Sequence, residues 1–214
     1  MAKNVLLRDQ AYQLIMEKII SSDYKMGTYL DEKTISNEIG INRTPVREAL
    51  IKIEHIGLVE IMPQKGIFVC QIGYKDVYDH YSVRLFMEPH LITMWGEKLS
   101  PEKLNNFRQA FVVYQHQTSE MDLYELDNAF HRYILSLSDN KYLESVVTAL
   151  EIDFIRMRII SHVNQKSSIS VCLKHIDIID ALLNKDYKSA RLLLEKHILE
   201  SREENIAAFI KALK

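Results

Sequence analysis

The strongest limit on what this chain can fold into is its shortage of helix breakers: six glycines and four prolines punctuate 214 residues. A strand-and-turn architecture needs more such residues at its turns, so a mainly helical fold is expected. Apolar residues make up 47% and charged residues 26%, which argues against disorder and for a chain that buries a core. The length suits one large domain or two small ones.

Hydrophobic periodicity places the elements. Residues 5 to 20 put Leu7, Ala11, Leu14, Ile15 and Ile19 at helical spacing, and SSDYKMG ends the run. Asp31 can cap a short second helix, DEKTISNEI, with Ile35 and Ile39 facing inward and Gly40 as its stop. A third helix runs from Asn42 or Thr44 to about His55, burying Val46, Ala49, Leu50 and Ile53 before Gly57. Pro45 is tolerated there because first-turn residues donate no intrahelical bond. LVEIM and GIFVC, joined by PQKG, then read as a hairpin. Three helices and a hairpin make an N-terminal winged helix-turn-helix over residues 1–73, with QIGYK (71–75) as a hinge. Residues 74–214 read as a bundle of about six helices, with breaks near 99–101, 118–120, 138–140, 163–168 and 184–186.

The first residues lack the apolar run of a signal peptide, and no stretch of about 18 apolar residues could span a bilayer. A cytoplasmic protein without a membrane partner is expected. Cys70 and Cys172 lie in different parts of the chain and read as free thiols rather than a disulfide. Net charge is −2, with residues 1–75 at +1 and the rest at −3, so bulk electrostatics alone announce no nucleic-acid binding.

The local chemistry says more. In GINRTPVREAL, Arg43 and Arg47 stand four apart at the start of a helix whose later residues are packed, which is the geometry of a recognition helix. An arginine fork matches the O6 and N7 acceptors of guanine. The alternative is an ordinary solvated face, with Arg47 pairing with Glu48 or Glu54. Lys65 and Gly66 at the tip of the hairpin favour DNA: Lys65 adds charge, and Gly66 allows close backbone approach to a phosphate or minor groove.

A second constellation lies in the helical part. LDNAFHRYI places Asp127 and His131 one turn apart, while His175 and His197 fall in two helices separated by the NKD turn. Three neutral imidazoles and a carboxylate suit a divalent transition metal such as Zn²⁺ or Ni²⁺. Each histidine alone is more often a satisfied core or surface residue, and spacing does not show that the three helices converge.

LDEKTISNEIGINRTPVREALIKIEHIGLVEIMPQKGIFV, from Leu30 to Val69, resembles the DNA-binding domain of the GntR superfamily of bacterial transcription regulators. The resemblance implies a DNA-contacting set of Lys33, Asn42, Arg43, Thr44, Arg47, Lys65 and Gly66. Lys33 stands where arginine is common in that family, and Asn42 where serine or threonine is common. Residues 77 to 210 resemble the FCD ligand-binding domain of the FadR-like branch through VRLFMEP, LDNAFHRYI, SDNKYL and the later histidines. That resemblance implies a metal held by Asp127, His131, His175 and His197, with a small carboxylate effector completing its shell. Arg84 and Arg156 are then candidates to clamp the acid, although Arg84 and Glu88 also fit a plain i, i+4 helical pair. Cys172, one turn before His175, reads as core.

The expectation is a homodimeric transcriptional regulator, a repressor, that binds a pseudo-palindromic double-stranded operator and senses a small organic acid. Two alternatives compete with it: a metal-dependent helical enzyme, or a regulator whose C-terminal part only dimerises. The enzyme reading lacks an H-E-x-x-H, a Glu-x-x-His pair of the di-iron kind, a phosphate loop and a G-x-S-x-G elbow.

Overall fold

The computed structural model of the chain describes residues 2–115, 120–138, 140–143, 146–147, 150 and 168–212. It is mainly α-helical and divides into two compact units, Met1–Gly73 and Tyr74–Lys214.

The first unit opens with α1 (Ala2–Ile20), which begins earlier than periodicity suggests, followed by β1 (Tyr29–Leu30), α2 (Glu32–Ile39) and α3 (Arg43–His55). Strands β2 (Val59–Met62) and β3 (Gly66–Val69) complete it. Local signals act as expected in α2: the Asp31 carboxylate accepts from the Thr34 N–H at 3.1 Å, and Gly40 adopts φ 69° at the other end. Asn42 precedes α3 without a side-chain cap. Ile15, Ile35, Val46, Ala49, Leu50 and Ile53 are buried, so α1, α2 and α3 share one core.

The wing departs from a two-stranded hairpin. It is a three-stranded antiparallel sheet of order β1-β3-β2, in which Leu30 faces Ile67 and Ile61 faces Ile67 from the other side. A two-residue strand has no alternation to read, so β1 left no signal of its own. Glu54, considered above as a partner for Arg47, instead accepts from the Ile61 N–H at 2.7 Å and ties α3 to β2.

The second unit contains α4 (Tyr74–Trp95), a 3₁₀ turn (Gly96–Lys98), α5 (Pro101–Tyr114) and α6 (Glu120–Leu135), then α7 (Ser168–Leu183) and α8 (Tyr187–Ala212). Tyr74 and Lys75, assigned above to a hinge, belong to the first turn of α4. Arg156 and residues 163–167 of the expected break near 163–168 fall outside the described residues, and Ser168 already begins α7. Helix α4 packs along α8, α5 packs on α7, and α6 contacts both α4 and α5. Ser100 caps α5, with Pro101 in its first turn. Phe111, Phe130, Ile134, Ile179 and Leu194 fill the interior. These packings place one face of α6, α7 and α8 toward a common centre.

Gly66 shows why one wing glycine is constrained by packing. Its φ is 100°, and a Cβ there would stand 2.5 Å from the Leu30 carbonyl oxygen of β1, whereas a Cβ on Gly40 meets nothing within 4 Å. Gly66→Ala is therefore expected to cost about 1–3 kcal/mol of unfolding free energy and Gly40→Ala nearer the bottom of that range. Urea unfolding of the two variants checks the order; equal losses would show that the β1 contact does not constrain the wing.

Candidate metal centre and nucleic-acid interface

In the first unit, α3 presents Asn42, Arg43, Thr44 and Arg47 to solvent while Pro45, Val46, Ala49 and Leu50 turn inward. Lys33 on α2 and Lys65 in the wing turn are also exposed. The guanidinium of Arg47 is 69% exposed and donates from Nε and Nη2 to Glu32 Oε2, each at 3.0 Å. An exposed pair of this kind contributes little, about 0.2–1 kcal/mol, so exchanging Glu32 for a DNA acceptor is cheap. This partner lies on α2, across the turn, where spacing along α3 gives no hint of it.

In the second unit, α6 supplies Asp127 and His131 four residues apart, α7 supplies His175, and α8 supplies His197. The sequence-derived quartet comes together: one donor atom from each of these four residues lies within 4.8 Å of the others. His131 Nε2 is 3.3 Å from His197 Nε2 and 3.4 Å from His175 Nε2. Asp127 Oδ1 stands 3.1 Å from His175 Nε2, 3.8 Å from His131 Nε2 and 4.0 Å from His197 Nε2. The histidines are buried, and the Asp127 side chain is 21% exposed.

The arrangement fits a small divalent ion. With bonds of about 2.1 Å, neighbouring donors sit roughly 3.0 Å apart around an octahedral ion and roughly 3.4 Å apart around a tetrahedral one. The outward nitrogens support the same tautomer: His175 Nδ1 lies 2.8 Å from the Val171 carbonyl, an acceptor only, so the proton belongs on Nδ1 and the lone pair on Nε2. The Phe111 ring stacks on His175 with centroids 4.4 Å apart and fixes its plane.

Burial and mutual charge set the titration of the site. Burial pushes the His131 imidazole down, helped by the Arg84 charge and opposed by Glu88 and Asp127. His197 is pushed well below the usual histidine range by burial and by its two histidine neighbours. Burial alone would raise Asp127, but His131, His175 and His197 hold it well below the usual carboxylate range. Neutral His131 and His197 beside an anionic Asp127 are protonation states that a cation requires.

Sequence reasoning missed how Glu88 is used. The expected helical pair with Arg84 is present, Nε to Oε1 at 2.7 Å, but it is buried, and Glu88 Oε2 also lies 2.6 Å from His131 Nδ1. A gap of 43 residues between Glu88 and His131 leaves no spacing signal. Arg84 additionally lies over the Tyr81 ring, 5.3 Å from its centroid. Cys172 is buried, in line with a core role.

The depressed histidines predict an acid sensitivity. Stability from the neutral imidazoles is fully present above their ordinary value of 6.5 and is lost as pH falls through the depressed folded values. Thermal unfolding of the metal-free protein between about pH 7.5 and about pH 5 is expected to show a falling Tm, less steep in His197→Gln. A flat Tm across that interval would contradict these electrostatics.

Comparison with known proteins places these two units. Residues 7–69 match the model of the bacterial regulatory proteins of the gntR family, and residues 79–200 match the FCD domain. The chain is 26% identical over 201 residues to the HTH-type transcriptional repressor RspR of Escherichia coli K12, covering 92% of this chain and 88% of that protein. Its fold resembles E. coli McbR (TM-score 0.72, 19% identity, 97% of this chain and 99% of the other). It also resembles a metal-free FCD domain of a transcriptional regulator (TM-score 0.58, 17% identity, 66% of this chain and 99% of the other). These families and relatives are transcription regulators and not enzymes, so the metalloenzyme alternative finds no support. Among the described residues no helix is long and apolar enough to cross a membrane. The two matches together cover most of the chain, one in the winged helix-turn-helix and one in the helical unit, and the chain belongs to the GntR family of bacterial transcription regulators that carry an FCD domain.

Proposed function

We propose that this regulator is a homodimeric repressor whose affinity for a pseudo-palindromic operator is set by a small carboxylate bound at a divalent metal, Zn²⁺ or Ni²⁺, in the FCD domain. The observation that carries this reading is the convergence of Asp127, His131, His175 and His197 on one point of the bundle interior. Imidazole and carboxylate donors suit these borderline ions. When bound, the ion supplies a positive centre with coordination positions left for an anionic ligand. Arg84, close enough for its charge to interact with Asp127, His131 and His197, supplies a second positive group for an acid. Arg156, the other expected clamp, belongs to this proposal on sequence grounds alone.

The DNA half of the proposal assigns base reading to Arg43 and Arg47, and backbone contacts to Lys33, Asn42, Thr44, Lys65 and the Gly66 turn. Two heads related by a two-fold axis would read two half-sites. The effector acts by differential affinity: an acid that binds one conformation better shifts the population towards or away from the DNA-competent state.

Operator binding titrated with a panel of small mono-, di- and hydroxycarboxylates tests the sensing half, with chelator-treated and Zn²⁺- or Ni²⁺-reloaded protein. At least one acid should change operator affinity by about 5–150-fold in reloaded protein. His131→Ala should bind DNA yet ignore the acid. DNA affinity unmoved by every acid and by both metals would refute the sensing role. For the head, Arg47→Ala should lose about 1–3 kcal/mol of discrimination between operator and random DNA. Lys65→Ala should instead weaken both equally and reduce the salt slope by about 0.9. Retained discrimination in Arg47→Ala would move base reading elsewhere.

A further inference from the structure

Glu88 belongs to α4, a helix that provides none of the four clustered donors, and it is fully buried. A carboxylate is costly there unless donors meet its oxygens. Each oxygen has a partner: Oε1 accepts from Arg84 Nε at 2.7 Å, and Oε2 stands 2.6 Å from His131 Nδ1. We infer that Glu88 is a positioning residue for the metal centre: by bridging Arg84 and His131 it holds the imidazole proton on Nδ1 and keeps His131 Nε2 open towards the ion. The effect on ion uptake rests on the metal-site reading above; the effect on the tautomer does not.

Among the described residues, His131 alone of the three histidines has a carboxylate behind it. His175 Nδ1 uses the Val171 carbonyl of its own helix, and His197 Nδ1 has no hydrogen-bond partner among the described residues. A charged acceptor behind an imidazole fixes its ring and raises its basicity as a ligand, and loss of such a partner commonly costs 10–100-fold in metal affinity. His131 is also the shared member of both short imidazole contacts, 3.3 Å to His197 and 3.4 Å to His175, so its orientation sets the geometry of the whole cluster.

The bridge requires a carboxylate specifically. Arg84 Nε and His131 Nδ1–H are both donors, so the group between them must present two acceptors. In Glu88→Gln the side chain presents one acceptor oxygen and one NH₂. The guanidinium is permanently charged and has only donors, so it takes the oxygen. The NH₂ then faces His131 Nδ1, which becomes an acceptor, and the proton moves to Nε2, where it blocks the lone pair the ion needs. Replacing Arg84 as well removes the competitor and returns the amide oxygen to His131.

The test uses the full chain in three forms: wild type, Glu88→Gln and the double variant Glu88→Gln/Arg84→Met. Histidine ¹⁵N shifts of the metal-free proteins report the tautomer, Zn²⁺ competition against a chromogenic chelator reports affinity, and circular dichroism confirms that each form is folded. His131 should carry its proton on Nδ1 in the wild type and on Nε2 in Glu88→Gln, with Zn²⁺ affinity lowered about 10–100-fold. The double variant should regain the Nδ1–H tautomer and most of the affinity, a recovery that a merely structural ion pair would not produce. An Nε2–H tautomer of His131 in the wild type would overturn the inference, as would wild-type tautomer and affinity in Glu88→Gln. A wild-type chain with Nδ1–H His131 that takes up no Zn²⁺ would overturn the metal-site reading, and with it any role of Glu88 towards an ion.

Discussion

Everything in the helical unit turns on one electrostatic constraint: three imidazole nitrogens and a carboxylate oxygen meet within 4.8 Å in a largely buried site. Lone pairs at 3.3–3.4 Å oppose one another unless a proton or a cation lies between them. Burial works against the proton, since it disfavours the charged imidazolium of His131 and His197. A divalent ion between these donors would resolve the conflict with no protonation at all. The surrounding structure serves that outcome: Val171 and Glu88 engage the outward nitrogens of His175 and His131, and the Phe111 ring stacks on His175.

The two units solve different problems with different residues. The N-terminal unit must keep cations in water: among the described residues its core is apolar except for the Tyr24 hydroxyl, and Arg43, Arg47, Lys33 and Lys65 stand outside it. The Glu32 carboxylate occupies the Arg47 fork through a weak, exposed pair that a DNA acceptor can displace. The C-terminal unit buries charge instead, and does so as a chain of partners from Arg84 through Glu88 to His131. Helix α4, which carries the first two members of that chain, begins at Tyr74, the residue after the end of the N-terminal unit.

How much of this was legible before the structure follows from the range of each interaction. Elements set by local chemistry could be read directly: Asp31 and Gly40 bound α2, and apolar spacing locates α3. So could the Asp127 and His131 pair, because i and i+4 share a helix face. That His175 and His197 join them depends on how α6, α7 and α8 pack, which periodicity does not encode and which family resemblance supplied. Contacts between distant segments left no trace in the sequence. Strand β1 is too short for a pattern, Glu32 meets Arg47 across a turn, and Glu88 reaches His131 from another helix.

The most direct measurement of the central claim is the metal content of the purified chain by elemental mass spectrometry, beside Asp127→Ala and His131→Ala. The account predicts one Zn²⁺ or Ni²⁺ per chain in the wild type and little or none in either variant. A wild-type chain that stays free of divalent ions after incubation with both metals, or variants that load as fully as the wild type, would contradict it.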